Sequence, residues 1–358
     1  MFYKHHNYNL ITLLRGVAII IIVLVHIDLA VSSFYSYKYL FGLYNTDFGA
    51  VDLFFVLSGF MLMLSYRRYI GNPNMITTYL KRRFYRIIPA YWIVCSIVIL
   101  IYVLWNPPLA QGLEYNPSFF IGNFLLLNGP RVISPSWFLN CEVFFCLLFL
   151  LIFLVKKEKT VLQILALYAV GILVFTFYPF SSFSPIRASS MPASIGASVL
   201  SLFVLEFIFG IYTAVLVIRK PKVLKAKPLF FSGILLWIGV CVAVIYFNKT
   251  MTSVSYLRFL YWGIPSSAII AGAYLIEQKT VIRIPRVFKL IGQSSYSIYL
   301  LHMIILQSVF IKTQRVMRVY GTPISHFIGI TLIAMITIGI SMLFHVFVER
   351  RILTRFRR

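Results

Sequence analysis

Leu13-Leu14-Arg15-Gly16-Val17-Ala18-Ile19-Ile20-Ile21-Ile22-Val23-Leu24-Val25-His26 sets two ionisable groups at the ends of an otherwise apolar run. As a helix turning about 100° per residue, the eleven steps from Arg15 to His26 close three turns with about 20° to spare. The two side chains therefore share one stripe, about 16 Å apart along the axis. Ionisable groups are costly in hydrocarbon and face a bundle interior or a wet cavity. The stretch reads as a membrane-spanning helix with a polar path along one side.

The rest of the chain repeats this theme. Hydrophobic residues make up 60% and charged residues 12% of 358 positions, against about 25% charged in soluble domains. Ten apolar runs approach the roughly 20 residues a bilayer requires: 11–31, 50–66, 88–105, 136–155, 161–178, 198–218, 229–247, 257–276, 290–310 and 325–346. The expected fold is an all-α, polytopic membrane bundle of about ten transmembrane helices, a single domain over 1–358 with no appended soluble domain.

A net charge of +24 raises nucleic-acid binding as an explanation, and the placement of the charge argues against it. With these spans, 25 of the 33 Lys and Arg fall on one side, including Lys4, the Arg67–Arg86 group, Lys156–Lys159, Arg219–Lys227, Lys279–Lys289 and the Arg350–Arg358 tail. Only Lys38, Arg131, Arg187, Lys249, Arg258, Lys312, Arg315 and Arg318 lie opposite. The positive-inside rule places both termini in the cytoplasm. The first span is too long, and its exit at Ser32-Ser33-Phe34-Tyr35 too poor in small residues, for a cleaved signal peptide.

Cys95, Cys141, Cys146 and Cys241 all fall in spans with no metal-ligand spacing, so neither a disulfide framework nor a metal site is expected. Segment 106–135 holds an apolar run, Phe119–Leu127, too short to span, and reads as re-entrant or interfacial. The Pro- and Ser-rich loop 179–197 lies outside, where it could cover an acceptor cleft.

Proton chemistry rests on few residues. His26 lies about 22 Å from the inner end of its span, in the outer half. Asp52 opens the second span near its outer end, Glu142 lies six residues below the outer face, and His302 is near mid-membrane. Arg15, Arg83 and Arg86 mark the inner mouth. A neutral imidazole can take a proton as a hydroxyl attacks an electrophile. Glu142 or Asp52 could orient an imidazole or an acceptor hydroxyl, and the arginines suit phosphates.

Plainer roles stand beside these. Arg15 could snorkel to the interface, Asp52 could cap its helix, and Ser58 reads as small packing beside Gly59. His345 reads as a packing or hydrogen-bonding residue, and Glu206 is a secondary site candidate. A proton-coupled transporter or glycan flippase would use similar groups, but would carry repeat symmetry between halves that this sequence lacks.

Together these residues resemble the acyltransferase-3 family of membrane acyltransferases. The match runs through Arg15-x10-His26, the Asp52–Phe60 run, Arg83-x-x-Arg86, Trp137-x-Leu-x-x-Glu142, the Tyr296–His302 block and Phe347-Val348-Glu349-Arg350. The resemblance implies a multi-pass enzyme of the bacterial inner membrane that moves an acyl group, commonly acetyl, from cytoplasmic acyl-CoA to a hydroxyl. The acceptor it implies is a cell-surface polysaccharide or its lipid-linked precursor, with no permanently bound cofactor. It makes His26 the catalytic base, Arg15 its cytoplasm-side partner and Arg83 and Arg86 contacts for the donor phosphates. Glu142 and His302 fall on further functional positions. Arg351 stands where many relatives have Pro, and the extracytoplasmic hydrolase-like domain of some relatives is not expected.

Overall fold

A computed structural model describes residues 8–35, 49–105, 117–127, 131–177, 195–221, 223–246, 257–320 and 323–355. Among them there is no strand. The long helices are α1 (Asn9–Tyr35), α2 (Ala50–Tyr66), α3 (Met75–Trp105), α5 (Trp137–Leu148), α7 (Glu158–Phe177), α8 (Phe203–Arg219), α9 (Ala226–Tyr246), α10 (Arg258–Lys279), α12 (Ser295–Tyr320) and α13 (Pro323–Phe344). Shorter pieces are α4 (Pro117–Phe124), α6 (Leu151–Leu154), α11 (Arg286–Gln293) and α14 (Arg350–Arg355).

Eight helical segments among the described residues are long and apolar enough to cross a membrane, fewer than the ten expected. The remaining two expected spans also form helices. α8 starts late because residues 196–200 turn as a 3-10 helix, which leaves it 17 residues. Twelve of those 17 are buried, so α8 is a core helix sheathed by neighbours rather than lipid. α12 covers the ninth expected span, and the side chains of its second half, 309–320, lie outside those described.

The core is built on α2, α8 and α10, which pack on one another. Small residues let these backbones meet: a Cβ on Gly59 would lie 2.0 Å from the Phe207 carbonyl oxygen, and one on Gly210 would lie 1.9 Å from that of Val56. Such reciprocal glycine contacts drive association where lipid removes the hydrophobic difference between helix and surroundings. α1 lies against α2, α11 and α12, which brings its polar stripe to the bundle interior.

Of the expected segment 106–135, the described residues 117–127 form a short insertion. α4 has eight residues, about 12 Å at helical rise, and cannot span. It is pinned to α3 by Tyr91 donating to the Asn123 carbonyl (2.7 Å) and Trp92 to the Phe124 carbonyl (2.9 Å). Residues 106–116 and 128–130 of that segment lie outside the described residues, as do 179–194, Lys38, Lys249 and both chain ends. All four cysteines are buried and free.

Candidate functional site

A cavity of about 1600 Å³ opens at the end of the bundle where the basic flanks gather. Arg15, Arg83 and Arg86 all line it, together with Arg67, Arg68, Arg82, Lys279 and Arg350. The three arginines expected at the inner mouth thus meet in one space, although α1 and α3 supply them from separate parts of the chain. Arg15 donates to the Ser295 hydroxyl at 2.7 Å, which fixes its guanidinium instead of leaving it to snorkel. Arg83 lies over the rings of Tyr66 (6.0 Å) and Tyr79 (5.8 Å), a cation–π seat. Its Nε is buried with no hydrogen-bond partner among the described residues.

Two carboxylates border this cationic space. Glu158 pairs with Arg67 and Arg219 at the rim, tying the ends of α2 and α8 to the start of α7. Glu349 sits on a single π-helical turn, His345–Glu349, a distortion that often marks functional sites. Its Oε2 accepts from Ser297 Oγ at 2.5 Å and from His345 Nδ1 at 2.8 Å. His345 is therefore a hydrogen-bonding residue on the cavity wall, in line with its plainer reading. Glu349 entered the sequence reading only as part of the closing motif, because its partner Ser297 lies 52 positions away.

Above the cavity stands the histidine pair. α1 brings His26 and α12 brings His302 edge to face, ring centroids 5.0 Å apart at 66°. His26 Nδ1 meets the Ile22 carbonyl at 2.8 Å, and His302 Nδ1 meets the Tyr299 carbonyl at 2.8 Å. A carbonyl only accepts, so both Nδ1 atoms carry the proton and each neutral ring keeps Nε2 as its basic nitrogen. His302 is fully buried, and its Nε2 has no hydrogen-bond partner among the described residues. Cavity-lining Arg15 and Tyr296 lie eleven and six residues before the two histidines. At about 1.5 Å per residue, the imidazoles stand about 9–16 Å beyond that floor.

Glu142 lies between these levels. Ser58 Oγ donates to its Oε1, and its charged neighbours are Arg86, Arg83 and Arg15. Met61, one turn below Ser58 on α2, already lines the cavity. The carboxylate expected beside an imidazole thus looks toward the arginines. Ser58, read from sequence as packing, is its hydrogen-bond donor.

Asp52 is placed differently from its expected role as an orienting carboxylate or helix cap. Arg258 Nε and Nη2 bind Asp52 Oδ1 and Oδ2 at 2.8 and 2.6 Å. Both oxygens are committed to an ion pair whose partners are almost wholly buried. Arg258, counted as a flank charge, is drawn inward by that pairing. Glu206 lies buried beside Asp52 there. Asp28, a buried carboxyl two residues beyond His26, is a further acidic group the sequence pattern did not raise. Among the described residues no group of three or more His, Cys, Asp or Glu could hold a metal ion.

The family described as "Acyltransferase domain" matches residues 8–346. Among curated proteins, the chain is 34% identical over 109 residues to "Acyltransferase MdmB" of Streptomyces mycarofaciens. That match covers 28% of this chain and 27% of the relative, so it spans little more than a quarter of either. No solved structure matches.

Proposed function

The chain belongs to the acyltransferase-3 family, and from that premise we propose that it is an O-acyltransferase, most simply an O-acetyltransferase, using cytoplasmic acyl-CoA. The acceptor is a hydroxyl of a cell-surface polysaccharide or its lipid-linked precursor, and the enzyme works in a bacterial inner membrane with both termini cytoplasmic. One observation carries the reading. A single helix, α1, presents Arg15 to the basic cavity and, about 16 Å further, His26 to His302. That separation is comparable to an extended pantetheine arm, so phosphates held below would deliver a thioester to the imidazoles above.

Arg83 and Arg86 bind the donor phosphates by charge and forked hydrogen bonding, and Arg15 holds the arm where it leaves the cavity. The acceptor hydroxyl donates to His26 Nε2. Its oxygen attacks the thioester carbonyl as that proton transfers, forming the C–O bond. The C–S bond then breaks, the thiolate takes the proton from His26, and free CoA returns to the cytoplasm. His302 lies edge-on to His26 and steadies the transient imidazolium through its own basic nitrogen. The apolar packing around the pair keeps water from the thioester.

The test is mass spectrometry of surface glycan from parent, deletion, complemented and His26→Ala strains. Loss of O-acyl ester in the deletion and His26→Ala strains, restored on complementation, is the expected result. Normal ester content with blocked glycan export would overturn the enzyme in favour of a flippase.

A further inference from the structure

At the end of the bundle where the basic flanks gather, the chain leaves α10 at Lys279 and runs through residues 280–285 into α11. Three apolar side chains on this stretch stand out from the protein: Val281 is 87% exposed, Val287 60% and Phe288 45%. Beside them lie Arg283, Arg286 and Lys289, none of which lines the basic cavity. Their side chains make no hydrogen bond or ion pair with another described residue, unlike Arg67 and Arg219, which pair with Glu158 at the rim. The sequence offers no acid nearby either. Between Glu277 and Glu349 there is no Asp or Glu, and Glu277 Oε1 accepts from the Leu10 backbone N–H at 2.6 Å.

The stretch is held as a platform. Asn9 Nδ2 donates to the Ile282 carbonyl at 2.7 Å, and a Cβ on Gly292 would lie 2.0 Å from the Thr12 carbonyl oxygen, so α11 is pressed against the start of α1. Counted at about 100° per residue from Arg286, buried Ile291 points at about 140°, with Val287 and Phe288 flanking it at about 100° and 200°. Lys289, at about 300°, returns to the side of Arg286. One side of α11 is therefore apolar, buried along its middle and open along its edges, and the other side is basic. That is the layout of a helix lying in the plane of a membrane interface. A zwitterionic headgroup brings no net charge to such a face, whereas an anionic one complements three cations that no carboxylate neutralises. We infer that Arg283, Arg286 and Lys289, with Val287 and Phe288 beside them, form a binding site for an anionic phospholipid, separate from the basic cavity. The cationic groups take the headgroup phosphodiester, and the two apolar side chains meet the glycerol and the first acyl carbons.

The experiment is native mass spectrometry of the full-length protein in detergent, titrated with phosphatidylglycerol and, separately, with phosphatidylcholine. It compares the wild type, the single variants Arg283→Gln, Arg286→Gln and Lys289→Gln, their triple combination, and a matched triple variant at the same end of the bundle, Lys156→Gln/Lys157→Gln/Lys159→Gln. The wild type is expected to retain phosphatidylglycerol in preference to phosphatidylcholine. Each single variant should weaken phosphatidylglycerol about fivefold and the triple on the order of a hundredfold, the worth of one and of three basic residues at an anionic surface. The matched lysine variant should bind as the wild type does, and inorganic phosphate at the lipid's own concentration should displace nothing. Equal retention of the two lipids by the wild type would overturn the site, as would undiminished binding by the singles and the triple. An equal loss in the lysine variant would reduce the effect to general charge and overturn it too. Displacement by inorganic phosphate would make this a site for a free anion, against the lipid.

Discussion

Asp52 and Arg258, 206 positions apart in the chain, meet in a bidentate ion pair at the ends of α2 and α10 opposite the basic cavity. The pair joins two of the three core helices, and both charges are almost wholly buried. Removing one partner strands the other, which is the costly way to break a buried pair. Arg258→Ala is expected to destabilise the protein by about 3–5 kcal/mol, read as a lower unfolding midpoint in detergent. The double variant Asp52→Leu/Arg258→Met should recover much of that loss. Asp52→Asn that kept full stability but abolished transfer would restore Asp52 to the chemistry.

The histidine pair divides stability from chemistry. His26 Nδ1 meets the Ile22 carbonyl and His302 Nδ1 the Tyr299 carbonyl, each one turn back on its own helix. Glutamine at position 26 keeps a polar side chain of similar reach, so His26→Gln should change the unfolding midpoint far less than the rate. Transfer should fall by about 10²–10⁴, the usual worth of a positioned base. His302→Gln should lose less, since His302 acts beside the base. Single-turnover acylation of the native acceptor in membrane vesicles checks both.

Ser58 and Glu142 should behave as one unit. Glu142→Gln removes the charge facing Arg83 and Arg86, while Ser58→Ala removes one hydrogen bond to it, a charge-assisted contact worth about 1.5–3 kcal/mol. The double variant is expected to cost clearly less than the sum of the singles, by the logic of shared networks. Additive losses in transfer rate would mean that the two act separately.

Arg83→Ala and Arg86→Ala should each raise KM for the acyl donor about tenfold with a smaller change in kcat, the signature of binding made equally in ground and transition states. High salt should raise the wild-type KM for the donor and so narrow its difference from the variants, because phosphate contacts are screened. Initial rates against donor concentration at two ionic strengths decide it.

The α2–α8 contact offers a test of packing alone. A methyl at Gly59 or Gly210 would sit about 2 Å from a facing carbonyl oxygen, so the helices must separate. Gly59→Ala is expected to cost at least about 1–3 kcal/mol and to lower the unfolding midpoint. Transfer should fall only in parallel with the amount of folded protein.

Sequence determined the material of this protein and the direction of its charge. Apolar runs near bilayer length made the helices legible, because hydropathy and helical hydrogen bonding are local properties. The spacing of Arg15 and His26 fixed their common stripe for the same reason. The two-turn helix at Pro117–Phe124 was legible too as a piece that does not cross, from an apolar run too short to span. What the sequence left open was partnership: Arg258 taking Asp52, Ser58 taking Glu142, His302 meeting His26, and three arginines sharing one cavity. Those choices follow from which helices pack side by side and how they rotate, and close approach at Gly59 and Gly210 helps to set them. Hydropathy along one chain says which faces avoid water. Only the packed bundle decides which polar groups, once hidden, must satisfy one another.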